Sequence, residues 1–288
     1  MVDLLHFGEM ELLGAGVPEY EIDARLLLEH CTGKSRTEII LDGDFTVQRE
    51  WQNRYLQLLE RRKKREPVAY ILGEKEFWSL PFYVNQNVLI PRPETEFLLD
   101  RVFALTTPAN FQNGFILDLC CGSGVIAAIL GKETGRSIIA SDISSHALEV
   151  TRKNLTRHHL EQKIFLVQGN LFSPFAELNQ FSLIVSNPPY VSSIDVKNNL
   201  MPDVASYEPH LALDGGEMGL ESIQEMCDRL PVVLCPGGQC FIEIGADQGR
   251  VVKEMFSSSI AGQPGFDQVE VIADYAGRDR VVHVTMAP

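Results

Sequence analysis

Ser186, Asn187, Pro188, Pro189 and Tyr190 form a turn directly after the apolar run 183–185. Two successive prolines fix the backbone and remove two amide donors. The Asn187 side-chain oxygen and the Pro188 carbonyl can then both accept from a single NH2 group, while Tyr190 stacks on or flanks a planar substrate. Such a pair of acceptors serves alkylation of a delocalised nitrogen. It draws the nitrogen toward tetrahedral geometry and aims the lone pair at an electrophilic carbon. Positioning of that kind lowers a barrier by several kcal/mol without a strong base, and the sequence offers no clear general base. By itself a proline-rich turn is also an ordinary rigid loop.

A second group of residues makes the chemical reading stronger. Asp118, Leu119, Cys120, Cys121, Gly122, Ser123 and Gly124 end the apolar run 115–120 and open the helical run 125–132. Glycines there permit unusual dihedrals and let a ligand approach the backbone. Asp142 lies 20 residues beyond Gly122 (142 − 122), after the run 137–141, where a carboxylate can accept both hydroxyls of a ribose. The dinucleotide fingerprint G-x-G-x-x-G is absent, and Asp118 precedes the turn, which weakens a dehydrogenase reading. An acidic residue beside the loop suits a cationic ligand such as the methionine moiety of S-adenosylmethionine. After the run 163–167, Gly169, Asn170, Leu171 and Phe172 fall where the chain flanks an adenine. Asn170 has a donor and an acceptor for the base edge. Leu171 and Phe172 serve as apolar walls or as plain core.

The elements that must carry these residues alternate. Strand-like runs at 115–120, 137–141, 163–167, 183–186 and 239–244 are separated by helical runs that include 125–132 and 146–159. Apolar strands alternating with helices imply a parallel sheet covered on both faces, with ligands at the carboxyl ends of its strands. The expectation is therefore a doubly wound α/β domain over 93–288, opening on a helix at 94–105. Prolines 67, 81, 91 and 93 with Gly73 break up 66–92, where 76–78 and 82–84 read as a β-hairpin linker. Residues 1–65 read as a small helical domain. Ile22, Leu26, Leu27 and Leu28 mark one apolar stripe, and Val47, Trp51, Tyr55, Leu58 and Leu59 mark another after an N-cap at Thr46. The run Arg61, Arg62, Lys63, Lys64 and Arg65 reads as a solvated helix end favoured by the helix dipole, with an acidic partner surface as the alternative.

Composition narrows the partners. The chain has 288 residues, 45% hydrophobic and 22% charged, with a formal charge of −14. That global field argues against duplex DNA or folded RNA and for a protein partner. No apolar run reaches the roughly 20 residues needed to span a bilayer, and the acidic N-terminal segment does not read as a secretory signal. A cytoplasmic monomer that binds no membrane is expected. Six scattered cysteines, including adjacent Cys120 and Cys121, read as reduced buried thiols rather than a disulfide framework or a metal site.

These residues together resemble the peptide-chain release factor glutamine N5-methyltransferases. The resemblance covers nearly the whole chain. It runs from Asp23, Ala24, Arg25 and Leu26 through Glu66-Pro67-Val68-Ala69-Tyr70 and Ile90-Pro91-Arg92-Pro93-Glu94-Thr95-Glu96. It includes the Asn187–Tyr190 turn and Tyr207-Glu208-Pro209, and it ends in Asp274-Tyr275-Ala276-Gly277-Arg278-Asp279-Arg280. The turn is shared with DNA adenine methyltransferases. The 90–96 segment is more specific, and it separates this family from sister enzymes that methylate a ribosomal protein.

The resemblance implies a seven-stranded Rossmann-like class I methyltransferase domain whose last strands include one antiparallel hairpin. Cys120, Cys121, Gly122, Ser123, Gly124 and Asp142 would bind S-adenosylmethionine (S-adenosylhomocysteine as product), with Asn170 and Leu171 beside the adenine. Asn187, Pro188, Pro189 and Tyr190 would hold the glutamine of a Gly-Gly-Gln loop, Asn187 lying near the methyl group. The helical domain would dock the release factor. Two departures stand out. The family usually has glycine where this chain has Cys120, so the side chain either turns from the ligand or shifts the loop. It often has Asp where this chain has Asn170, which implies weaker donor binding. The rival readings are a nucleic-acid N-methyltransferase acting on a flipped adenine or guanine, and a nucleotide-binding interaction protein without catalysis.

Overall fold

The protein is described by a computed structural model covering residues 1–41, 47–107, 114–258 and 265–288. Its chain divides into two compact units, one of Met1–Glu74 with Met201–Glu208, the other of Lys75–Leu200 with Pro209–Pro288. The expected N-cap Thr46 lies outside the described residues.

The first unit is helical: α1 (Val2–Gly14), α2 (Tyr20–Thr32), α3 (Arg36–Leu41), α4 (Arg49–Lys63) and α5 (Val68–Leu72). Leu12, Ala24, Leu27, Leu28, Ile39, Tyr55 and Leu59 make its core. Ala24, Leu27, Leu28 and Cys31 form the buried face of α2, whereas Ile22 is exposed, so the stripe is rotated from the one centred on Ile22. The α1–α4 contact is set by Gly8, where a Cβ would lie 1.9 Å from the Tyr55 hydroxyl. That hydroxyl donates to the Ala24 carbonyl at 3.1 Å.

The basic end of α4 is only in part a solvated face, with Arg61 and Lys64 exposed and Arg62 buried. Arg62 is 4% exposed and its guanidinium pairs with Asp23 at 2.6 Å and Asp203 at 2.7 Å. Arg61 pairs with Glu66, Lys63 with Glu11 and Glu60, and Arg65 with Asp203. Four of the five cations thus pair inside their own unit, and Arg62, the one deeply buried, has the matched carboxylates that burial requires.

The second unit begins with a hairpin, β1 (Glu74–Phe77) and β2 (Leu80–Tyr83), followed by α6 (Pro93–Leu105). Then come β3 (Phe115–Leu119), α7 (Val125–Thr134), β4 (Ile138–Asp142), α8 (Ser145–Arg157), β5 (Ile164–Gln168) and β6 (Phe181–Ser186). Two short helices follow, α9 (Ser193–Asn198) in this unit and α10 (Pro202–Tyr207) in the first. The chain ends with α11 (Glu221–Val233), β7 (Leu234–Glu243), α12 (Gly249–Ser257), β8 (Phe266–Ala273) and β9 (Asp279–Met286).

The sheet has seven strands in the order β5-β4-β3-β6-β7-β9-β8, and only β9 runs against its neighbours. All six residues of β6 are buried, as a central strand covered on both faces requires. One face packs Ile116, Ala140, Leu183 and Val185 against α6, α7 and α8; the other packs Leu117, Ile184, Cys240 and Ile242 against α11 and α12. The doubly wound α/β architecture expected from the apolar runs is therefore present, with the antiparallel pair near the C-terminus.

Register places the site. Leu119 pairs with Ser141 on one side and with Ser186 on the other. Cys120 and Asn187, which follow β3 and β6, and Asp142, the last residue of β4, therefore lie together at one edge of the sheet.

Candidate active site

The loop after β3 is built by backbone conformation. Cys120 has φ +63°, Gly122 +54° and Gly124 +80°, all in the left-handed region that glycine favours. Gly124 is also crowded, since a Cβ would meet the Thr151 methyl at 2.5 Å. Cys121 N–H donates to the Ser141 carbonyl at 3.0 Å, and Thr151 Oγ1 donates to the Gly122 carbonyl at 2.8 Å. Asn154 Nδ2 donates to the Ser123 carbonyl at 2.8 Å, which ties the loop to α8. Cys120 thus takes a conformation that glycine favours, lines the cleft, and has its thiol in contact with Ser186. Burial pushes both vicinal thiols up, so they are poor nucleophiles.

Asp142 stands beside this loop with both carboxylate oxygens oriented. Oδ2 accepts from Gly122 N–H and Oδ1 from Ser144 N–H, each at 2.9 Å. Each oxygen keeps a lone pair for a further donor. Burial raises the Asp142 pKa, and the amides of Ser144, Gly122 and Ile143 oppose that rise. Asp118 is fully buried beneath the loop. Its Oδ2 accepts from Ala127 N–H at 2.8 Å, and its Oδ1 has no hydrogen-bond partner among the described residues. Burial pushes its pKa up to about 8.

On the far side of β3 the N-P-P-Y turn is held by side chains. Ser186 Oγ donates to the Leu119 carbonyl at 2.7 Å, joining the two strand ends. Asn187 Nδ2 donates to Thr95 Oγ1 at 3.0 Å, and Thr95 Oγ1 donates to Glu243 Oε2 at 2.7 Å. The Tyr190 hydroxyl donates to Glu243 Oε1 at 3.1 Å. Gln248 Nε2 donates to the Tyr190 carbonyl at 2.9 Å. Two glycines let the following loop press against the turn: a Cβ at Gly215 would lie 2.5 Å from the Pro189 carbonyl, and one at Gly219 would lie 2.3 Å from that of Tyr190.

One cleft unites these parts. Of the residues singled out from sequence, Cys120, Cys121, Gly122, Ser123, Asp142, Asn170, Leu171, Asn187 and Pro189 line it. Asp118, Gly124, Pro188 and Tyr190 are not among its lining residues. Asn87, Val88, Leu89, Pro91 and Arg92, read from sequence only as linker, also line the cleft. So does Thr95, the third residue of α6. The specific 90–96 segment is thereby accounted for: Pro91 and Arg92 wall the cleft, Thr95 reaches Asn187, and Glu96 accepts from Trp78 N–H at 2.7 Å to fix the hairpin.

A sheet in this strand order, with its cleft at the carboxyl ends of the central strands, is the architecture of class I methyltransferases, whose methyl donor is S-adenosylmethionine. The cleft fits that donor. Its lining includes a carboxylate, Asp142, with each oxygen anchored by a backbone amide, together with Asn170 and Leu171.

The comparisons narrow the class. Residues 3–73 match the family model described as PrmC N-terminal domain, and residues 94–226 that of the methyltransferase small domain. A release factor glutamine methyltransferase of Clostridium botulinum is 38% identical, over 97% of this chain and 97% of the relative. One from Vibrio cholerae is 39% identical, over 94% and 91% respectively. Among solved structures, a methyltransferase from Pyrococcus furiosus superposes with a TM-score of 0.52 at 16% identity, covering 82% of this chain and 99% of that one. The chain belongs to the release factor glutamine methyltransferase family.

Proposed function

We propose that this protein transfers a methyl group from S-adenosylmethionine to the side-chain amide nitrogen of the Gly-Gly-Gln glutamine in release factors, using the residues of this cleft. The observation that carries the residue assignment is the shared register of β3, β4 and β6, since it opens the loop, Asp142 and Asn187 onto one space. Cys120–Gly124 wrap the donor, Asp142 takes its ribose hydroxyls, and Asn170 and Leu171 flank its adenine. The donor supplies a sulfonium-bound methyl group that is electrophilic without further activation.

The protein's part is to bind and aim. Asn187 Oδ1 and the Pro188 carbonyl accept from the two amide hydrogens of the glutamine, while Pro189 and Tyr190 keep the turn rigid around it. Holding both hydrogens localises the nitrogen lone pair, and the fixed acceptors contribute through orientation. The nitrogen becomes strongly acidic once alkylated, so its proton leaves without a dedicated strong base. Asp118 supports the loop from below; a cation bound above it would draw its raised pKa back down.

Residues 1–65 dock the release factor, 66–92 form a hairpin linker whose last residues also wall the cleft, and 93–288 carry the rest of the chemistry. The protein acts as a cytoplasmic monomer without binding nucleic acid. Support for a protein partner comes from the net charge of −14. In the described residues no helix is long and apolar enough to cross a membrane.

The test is transfer of labelled methyl to a purified release factor, run beside the same factor with its Gly-Gly-Gln glutamine changed to alanine, and beside DNA and ribosomes. Label is expected on the intact factor alone, and Asn187→Ala should lower kcat at least about 100-fold. Label on nucleic acid or ribosomes would sink the release-factor assignment.

A further inference from the structure

Glu243, at the end of β7, is fully buried and belongs to neither the donor site nor the turn. It nevertheless reaches both ends of the turn, Tyr190 directly and Asn187 through Thr95. A carboxylate only accepts hydrogen bonds. An ionised Glu243 therefore obliges the Thr95 hydroxyl to donate toward it. The Thr95 oxygen is then left as an acceptor toward Asn187, which selects the rotamer that presents Nδ2 to Thr95 and Oδ1 to the cleft. Protonation of Glu243 breaks this directionality. The acid can donate to Thr95, whose own hydrogen is freed for Asn187 Oδ1, and the amide can flip to offer the substrate a donor where an acceptor is needed.

Resting on the methyl-transfer reading above, we infer that Glu243 is the positioning residue that sets the polarity of the Asn187 amide through Thr95, so that the enzyme works only with this carboxylate ionised. The groups facing it are Thr95 and Glu94 from α6, Tyr190 from the turn and Arg280 from β9. Burial raises its pKa to about 7, the Thr95 and Tyr190 hydrogen bonds and Arg280 oppose the rise, and Glu94 adds to it. Activity should therefore climb with pH through the neutral range, controlled by a residue that touches neither substrate nor donor.

The experiment compares wild type, Thr95→Val, Thr95→Ser and Glu243→Gln on the full chain. Thr95→Val, which keeps the shape and removes the hydroxyl, should lower kcat about 10- to 100-fold while donor affinity by calorimetry stays within about 3-fold. Thr95→Ser, which restores the hydroxyl, should retain most of wild-type kcat. Glu243→Gln should lower the plateau and abolish the pH dependence of kcat near neutrality. Full activity in Thr95→Val, or equal losses in Thr95→Val and Thr95→Ser, would overturn the inference.

A second readout needs no substrate. The Asn187 side-chain amide resonances should shift with pH at the midpoint of Glu243 titration, and Thr95→Val should uncouple the two. Resonances that ignore pH in wild type would also overturn it. Wild type that shows this coupling yet fails to methylate release factors would count against the proposed substrate and leave the positioning role intact.

Discussion

The loop 120–124 and the turn 187–190 leave neighbouring strands at the same edge, yet they are held in opposite ways. The loop keeps its shape chiefly through backbone: left-handed residues at 120, 122 and 124 and amide donors turned toward Asp142 and Ser141, with Thr151 and Asn154 of α8 holding two of its carbonyls. The turn keeps its shape through side chains supplied from α6 and from the C-terminal end of β7, with Gln248 beyond it. A donor that recurs in every cycle can be recognised by fixed amides. An acceptor amide with two nearly isosteric orientations needs a hydrogen-bond chain to tell them apart.

The strongest way to break that comparison is to remove the carboxylate toward which the Gly122 amide is turned. Asp142→Ala should weaken S-adenosylmethionine binding by about 1.5–3 kcal/mol, the range for hydrogen bonds to a charged group. In calorimetry that is roughly a 10- to 150-fold rise in Kd, with kcat at saturating donor nearly unchanged. A large kcat loss at unchanged Kd would mean that the two walls do not divide labour as described.

The next effect lies in stability. Burial pushes the Glu243 and Asp118 carboxyls up to about 7 and about 8, above the ordinary values of 4.5 and 3.8. Groups whose folded pKa is raised stabilise the fold while protonated, fully so below their unfolded values, and that contribution is lost as pH rises through the folded ones. Thermal melts should therefore show falling stability from about pH 5 to pH 8. Glu243→Gln should be more stable than wild type at pH 8, even as its activity falls. A variant less stable than wild type at pH 8 would show that the carboxylate serves the fold, and not the orientation of Asn187.

Smaller effects sharpen the loop side. A non-glycine residue in the left-handed region costs about 1–3 kcal/mol, partly offset because glycine has more unfolded-state entropy to lose. Cys120→Gly should thus stabilise the protein by about 1 kcal/mol, a Tm rise of about 2–4 °C. An unchanged or lower Tm would indicate that the contact between Cys120 and Ser186 compensates for the backbone. Least of all, Asn170→Asp should tighten donor binding by about 0.5–1 kcal/mol through a stronger acceptor. Weaker binding would remove the adenine contact assigned to Asn170.

The same contrast explains what could be read from the chain. Apolar runs at 115–120, 137–141 and 183–186 marked central strands because they are buried on both faces, and burial on both faces leaves a continuous apolar signature. The loop was legible because its function resides in glycine spacing and a carboxylate at a fixed interval. The turn was legible as a turn, but its support was not. Glu243 looked like one residue of a strand, and its bond to Thr95 spans 148 residues. Nothing local marks such a contact. Residues 87–92 passed for linker because prolines signal broken structure and say nothing about which space they border. The run 61–65 passed for a solvated helix end because its counter-charges, Asp23 and Asp203, are far away in sequence.

That last arrangement bears on synthesis. The helical unit contains Met201–Glu208, so it is not complete when its own helices have been made. Arg65 meets Asp203 across 138 residues, which at 5–20 residues per second take roughly 7–28 s to translate. During that interval Arg62 has Asp23 but not its second carboxylate. The nascent N-terminal helices would wait, partly neutralised, until β6 and the 187–190 turn have been made, so the unit that begins first on the ribosome is not the first that can finish.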